Sequence, residues 1–310
     1  MNYTLPITKL AANFALLTLL LAASAGASPM VYAITSLHQF GTLDLATGAF
    51  QSIGPNTPGQ NGLVPGPSGS LLSLGFSGSL NSINPFTGVT SVVGPTGLAD
   101  CTTPNSPCGP TSTITLGRLG ETLYATDFSH NLYTVDPSTG MATLIGPTGI
   151  PAVPAIPGSE NSDGTINLFD GSLFGVGGNL YATFDAFTLD PGPFVITPVI
   201  PANLYRLDPS TGLATLIAPT SLNLTTVVHV EGVTYAFNAV TNQVVTLDLL
   251  NGNTNFVSNL DPAAERIYGA TPVPEPSSIA LTSIGIAAIA FWKRRGGLAC
   301  LDRIQKERKN

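Results

Sequence analysis

Apolar and polar residues alternate along most of this chain in short runs, each cut off by Gly, Pro, Asn or Asp. Period-two alternation places every second side chain on one face, so each run reads as a half-buried β-strand. Leu132-Tyr133-Thr134-Val135 is such a run. It leads into Asp136-Pro137-Ser138-Thr139-Gly140 and then Met141-Ala142-Thr143-Leu144-Ile145-Gly146. The stretch from Leu204 to Ala218 nearly duplicates it, with Asp208-Pro209-Ser210-Thr211-Gly212 at its centre. Weaker copies begin at Phe40, Leu80 and Val244. The residue that opens each turn is Asp44, Asn84, Asp136, Asp208 or Asp248, at spacings of 40, 52, 72 and 40 residues.

Each copy predicts a hairpin with a mechanism. The Asp or Asn side chain bonds its own backbone, Pro presets the next φ, and Gly takes the left-handed corner. Upstream strands are expected at Thr122–Thr126, Asn179–Thr183 and Val233–Phe237, with further ones before them at Thr113–Leu116, Thr165–Leu168 and Thr225–Val228. Four short antiparallel strands per repeat is the pattern of a β-propeller blade, whose faces are buried by stacking on its neighbours around an axis. The chain is therefore read as all-β, a propeller of about five four-stranded blades, with six the alternative count. The units fall at about 30–54, 69–94, 113–146, 165–217 and 225–258. The first unit has no upstream fourth strand. Ala264–Ala270 is expected to supply it and close the ring. The uneven spacing also fits a β-solenoid or a pair of sandwiches. The Pro-rich stretches Asn56–Ser68, Thr96–Pro110, Pro147–Ser159 and Phe187–Ala202 are expected as surface loops.

Composition supports a turn-rich β protein. Of 310 residues, 33 are Gly and 26 Pro, and only 9% are charged, while 43% are hydrophobic, too many for a disordered chain. Charge is segregated. Between Ser28 and Ala270 there are 15 acidic residues against three arginines, a net of −12. Such a body repels phosphates and argues against a nucleic-acid partner.

The two ends read as export signals. Residues 1–27 carry one cation, Lys9, before an apolar stretch from Phe14 to Ala23, and Ala25-Gly26-Ala27 fits the small-x-small cleavage rule. Ser28 is then the first mature residue, with cleavage after Ala25 as the second choice. At the other end, Val273-Pro274-Glu275-Pro276 precedes an apolar run, Ser277 to Trp292, and the cations Lys293, Arg294 and Arg295. Those 16 residues reach ~24 Å as a helix, slightly short of a ~30 Å hydrocarbon core, and Trp292 and the basic side chains can extend it at the interface.

This tail resembles the PEP-CTERM sorting signal of Gram-negative bacteria. The resemblance covers residues 272–296 and rests on the order of its three parts. It implies recognition by an exosortase, cleavage close to Pro274-Glu275-Pro276, and an association with exopolysaccharide production. Gly296–Asn310 extends past the point where most such tails stop. The chain accordingly divides into a signal peptide (1–27), a repeat domain (28–270), a sorting signal (271–296) with a transmembrane helix over 277–292, and a cytoplasmic tail (297–310). Signal peptidase and the exosortase are the partners expected during export. The route runs through an inner-membrane intermediate to the cell surface or beyond. Cys101 and Cys108 flank a Pro-rich loop and, in an oxidising compartment, are expected to form a small disulfide loop. Cys300 lies beyond the anchor.

Candidate chemistry is sparse. The Asp136–Gly140 and Asp208–Gly212 turns hold one acid each, where a calcium loop needs several oxygens, so they read as turns. Asp163 and Asp170 lie in a Gly/Asn/Asp-rich stretch that hairpin turns also explain. His38, His130 and His229 would have to converge on the axis to hold a metal; without a fixed-spacing carboxylate they read as solvated turn residues, and neither metal nor cofactor is expected. No Gly-x-Ser-x-Gly elbow or phosphate loop occurs. Tyr124, Tyr133, Tyr181, Tyr205 and Tyr235 could stack on sugars, though blade packing explains their spacing. The expected role is non-catalytic, binding or organising exopolysaccharide or surface proteins. The alternative is a propeller lyase, lactonase or glycosidase with a metal or an acid pair on the axis.

Overall fold

The computed structural model describes residues 28–98, 113–127, 129–151, 166–190, 195–238 and 240–274. The candidate cleavage residues Ala25 and Ala27, the cysteines Cys101 and Cys108, and the sorting residues Glu275, Pro276, Lys293, Arg294 and Arg295 lie outside them, as do residues 277–292. Val273 and Pro274 are described, in coil. Among the described residues no helix is long and apolar enough to cross a membrane.

Among the described residues, twenty strands form five four-stranded antiparallel sheets. Blade 1 holds β1 (Met30–Thr35), β2 (Phe40–Asp44) and β3 (Phe50–Ser52). Blade 2 holds β4 (Gln60–Pro65), β5 (Leu71–Gly75), β6 (Ser79–Ile83) and β7 (Thr90–Pro95). Blade 3 holds β8 (Thr113–Leu119), β9 (Thr122–Asp127), β10 (Asn131–Val135) and β11 (Ala142–Pro147). Blade 4 holds β12 (Ile166–Val176), β13 (Asn179–Asp190), β14 (Val195–Leu207) and β15 (Ala214–Pro219). Blade 5 holds β16 (Leu224–Val230), β17 (Val233–Asn238), β18 (Gln243–Leu247) and β19 (Thr254–Asn259). The last strand, β20 (Ile267–Pro272), returns to blade 1 and pairs with β1, with Tyr32 opposite Thr271 and Ala33 opposite Ala270. The chain's two described ends are thus joined in one sheet, and the ring has no open seam.

The inner strands β20, β4, β8, β12 and β16 pack side by side around the axis. Only glycine lets them approach so closely. A Cβ on Gly117 would lie 2.4 Å from the Leu173 carbonyl, and one on Gly175 would lie 2.3 Å from that of Arg118. The hydrophobic core is divided among the gaps between blades. Leu72, Leu74, Leu80, Leu116, Leu123 and Val135 fill the space between blades 2 and 3. Leu180, Phe184 and Leu207 meet Tyr124 and Leu132 between blades 3 and 4.

The repeated turns do two jobs. In blade 3 the Asp136 carboxylate accepts the Ser138 amide at 2.7 Å and the Ser138 hydroxyl at 2.6 Å, and the Gly140 amide closes onto the Asp136 carbonyl at 2.8 Å. Those hydrogen bonds, the Ser138 hydroxyl first, hold the carboxyl below its usual range, and the Asp208 carboxyl is lowered in the same way with Ser210. The closing glycine then lies against the preceding blade. Gly140 meets the Gly94 carbonyl, Gly212 that of Gly146, Gly252 that of Pro219, and Gly48 that of Asn259 across the closure. A second repeated joint follows each outer strand. Thr57, Thr96, Thr148 and Thr220 donate their amides to carbonyls of the turns between the second and third strands: His38, Gly78, His130 and, in blade 4, Ala202 on the third strand itself. In blades 2 to 5 the outermost strand also carries a bulge at its pairing with the third, a device that twists an exposed edge away from foreign strands.

Two expected loops are strands. Asn56–Ser68 contains β4, the inner strand of blade 2. Gly62 and the flanking prolines hide its alternation, yet Gly62 is required there, because a Cβ would lie 2.7 Å from the Leu116 amide. Of the second, Phe187–Ala202, residues 187–190 end β13 and residues 195–202 begin β14, with Pro198 paired opposite Phe187. β15 joins β14 only from Asn203 onward, so this part of β14 is an edge, where proline needs no donor.

Candidate functional site

The C-terminal halves of the five inner strands enclose an axial cavity of about 320 Å³. Val64, Leu116, Leu173, Phe174, Val227 and Val228 supply its apolar wall, and Thr115, Ser172, Thr226 and Thr271 supply hydroxyls. Some of these hydroxyls join adjacent blades. Ser172 Oγ accepts the Val227 amide at 2.9 Å, and Thr226 Oγ1 donates to the Ile267 carbonyl at 3.0 Å. At the mouth stand Arg118 and His229. The Arg118 guanidinium is already engaged: Nε donates to the Gly120 carbonyl at 2.8 Å, one terminal nitrogen to the Pro65 carbonyl of blade 2, and the other to Glu121. His229 Nδ1 lies 3.0 Å from Thr234 Oγ1. No Asp or Glu is among the residues that form this wall. The arrangement offers hydrogen bonds and apolar contact, with one imidazole at the mouth, no carboxylate in the wall, and the nearby Glu121 carboxylate paired with Arg118.

The three histidines do not converge. His38 and His130 occupy equivalent turns, β1–β2 and β9–β10, both left-handed with φ of 63° and 55°. His229 lies on inner strand β16, toward the opposite rim. Among the described residues no group of three or more His, Cys, Asp or Glu is placed to hold a metal. His130 also departs from the solvated turn residue expected of it. It is 2% exposed, and its ring lies 4.6 Å from that of Phe184 in blade 4. Burial pushes its imidazole below the ordinary value, opposed by the Pro151 and Ile150 carbonyls and by Asp127. Buried Asp127 accepts the Asn131 amide at 2.8 Å and the Tyr133 hydroxyl at 2.8 Å, so it caps the β9–β10 turn. Burial first, and then Asp127, push the Tyr133 phenol up to about 12.

The tyrosines serve packing. Tyr124, Tyr133 and Tyr205 are buried, and Tyr181 stacks on Phe174 at 5.7 Å. Asp163 lies outside the described residues. Asp170 pairs along the backbone with Asp185 in the blade 4 extension.

A second recess escaped sequence reasoning. On the outside of blade 2 a groove of about 480 Å³ lies between the Asn84–Val89 turn and the Gly66–Ser70 connection. Phe86 stands on its rim, 84% exposed. Ser68, Ser70, Ser82, Thr87 and Ser91 line it, and no ionisable side chain does. The available signal was an alignment of the five turns, in which Asn84 and Phe86 depart from the repeat.

No protein-family model and no curated protein matches the chain. Among solved structures it is similar to a chain of the nidogen/laminin complex, with 13% identity and a TM-score of 0.46 over 78% of this chain and 97% of that one. It is also similar to the PQQ-bound aldose sugar dehydrogenase of Streptomyces coelicolor, with 14% identity and a TM-score of 0.38 over 80% and 90% of the two chains. A third is the virginiamycin B lyase of Staphylococcus aureus, with 14% identity and a TM-score of 0.37 over 70% and 65%. Likenesses this distant say nothing of a ligand or a reaction here.

Proposed function

We propose that this chain is an exported propeller with a non-catalytic role, binding or organising exopolysaccharide or other surface components outside the cell. The observation that carries the reading is the ordered tail: Val273-Pro274-Glu275-Pro276, the apolar run 277–292, and Lys293-Arg294-Arg295. In this reading signal peptidase removes residues 1–27, the apolar helix holds the protein in the inner membrane, and an exosortase cuts near Pro274-Glu275-Pro276. The propeller supports it as a closed platform whose surface is acidic and otherwise mostly neutral polar. The axial wall supports binding over acid-base chemistry, because glycoside hydrolysis needs two carboxyl groups flanking the bond and this wall has none.

Mass spectrometry of the protein recovered from a Gram-negative host tests the sorting step. The mature form is expected to begin at Ser28 and to end near Pro274-Glu275-Pro276 when an exosortase is present, and to retain the tail when it is deleted. A tail that stays intact in both hosts overturns sorting. Retention of the purified protein on the host's own exopolysaccharide tests the binding role, and free passage overturns it.

A further inference from the structure

We infer that the groove on the outer side of blade 2 is a binding site for an uncharged sugar unit, with Phe86 as its stacking platform. The inference rests on the matrix-binding reading above and gives it a location and a ligand chemistry. Three departures from the repeat converge in this one place, and blade folding requires none of them.

The first is the connection between the inner strand and its neighbour. In blades 3, 4 and 5 it is a tight pair: Gly120-Glu121, Gly177-Gly178 and Glu231-Gly232. In blade 2 it is the five-residue segment Gly66–Ser70, with a short 3-10 turn over Pro67–Gly69. Ser68 and Gly69 are both left-handed there, at φ 55° and 78°, and the Ser70 hydroxyl ties the turn to the Pro67 carbonyl at 2.8 Å. This longer segment forms one wall of the groove.

The second departure is electrostatic. Four of the five hairpin turns open with a carboxylate, at Asp44, Asp136, Asp208 and Asp248, and blade 2 opens with Asn84. Asn84 Oδ1 makes the same cap, accepting the Phe86 amide at 2.9 Å and the Thr87 amide at 3.2 Å. The turn is therefore kept and its charge removed. The matching recess on blade 5, about 350 Å³, is lined by Asp248 and His229. The blade 2 groove has hydroxyls and an amide where blade 5 has titratable groups.

The third is Phe86. The equivalent positions hold Ala46, Ser138, Ser210 and Leu250, so the turn has no need of an aromatic ring. Left 84% in water, that ring gains nothing from folding. Its negatively polarised face suits the C–H groups of a sugar ring, while Ser82 and Ser91, paired across β6 and β7, place two hydroxyls side by side within reach of the sugar's own. An apolar face bordered by a few hydrogen-bonding groups and no charge selects a neutral carbohydrate over an anionic one.

Affinity electrophoresis of the full chain in detergent tests this, with dextran and guar galactomannan as neutral probes and alginate as an anionic one. Wild type is expected to be retarded by at least one neutral glycan. Phe86→Ser, which restores the residue of blades 3 and 4, is expected to bind about ten-fold more weakly with an unchanged melting temperature. The double variant Ser82→Ala/Ser91→Ala is expected to weaken binding several-fold and guards against a folding effect of the first. Equal retardation of wild type and both variants overturns the site, as does retardation by alginate alone. If wild type ignores the neutral glycans yet is retained on native exopolysaccharide, the site falls and the matrix reading stands. If it ignores both, both fall.

Discussion

Thr271 pairs with Tyr32, and through that register the last strand of the domain becomes the inner strand of its first blade. Ile267 and Ala270 on β20 share a core cluster with Val228 and Val230 of blade 5 and with Val31 and Ala33 of blade 1. Removing β20 therefore opens a sheet edge and uncovers apolar surface on two blades at once. A chain ending at Leu260 is expected to lose its cooperative melt, or to melt far below a chain ending at Pro274, as followed by circular dichroism. Identical melts for the two would disprove closure through β20.

Turn glycines carry the contacts between blades, and two of them separate backbone strain from crowding. Gly140 has φ 81°, and a Cβ there would lie 2.6 Å from the Gly94 carbonyl; Gly149 has φ 76° with nothing within 4 Å. Alanine at Gly149 meets only the left-handed penalty, ~1 kcal/mol. Alanine at Gly140 adds a clash with the backbone of the neighbouring blade and is expected to cost about 2 kcal/mol or more. Urea titrations of both variants measure the difference. Equal losses would mean that the blades yield freely at this joint.

The sequence made the strands legible where short runs of apolar and hydroxyl side chains end at turn residues. Leu123-Tyr124-Ala125-Thr126 is buried on both faces because its blade lies between two others, and the Asp-Pro-Ser-Thr-Gly turns announce themselves by their chemistry. β4 was hidden because an inner strand is chosen for close approach, so Gly62 and the terminal Pro65 look like loop residues until Leu116 is brought against them. His130 read as a wet turn residue because Phe184, which covers it, lies in the next blade. The blade 2 groove was illegible for a related reason. Ser68 and Phe86 share a recess only after the sheet between them has formed.

His130 is expected to make the fold acid-sensitive. Its imidazole titrates below the ordinary value of 6.5 because burial disfavours the charged form. The unfolded chain therefore binds the proton first as pH falls, and the stability held above pH 6.5 is lost as pH drops through the folded value. His130→Asn keeps a residue suited to the left-handed turn. It is expected to flatten the slope of stability against pH just below 6.5, read from urea midpoints at half-unit steps. A slope unchanged in this variant would assign the acid response to other groups.

Tyr133 and Asp127 give the opposite, alkaline signature. The phenol, raised to about 12 by burial and by the carboxylate it donates to, stays neutral in the fold while an unfolded tyrosine ionises near 10. The linked stability is thus complete below pH 10 and is lost as pH rises toward 12. Tyr133→Phe removes that loss and also strips one donor from a carboxylate with no exposed surface. Asp127 keeps its two bonds from Asn131, so the expected cost at pH 7 is about 1–3 kcal/mol without collapse of the turn. Phenolate absorbance near 295 nm tracks the titration. Burial also raises Tyr32 and Tyr235, so the variant is expected to lose one of the wild type's late-ionising tyrosines, and an identical titration in the two would show that the hydroxyl does not reach Asp127.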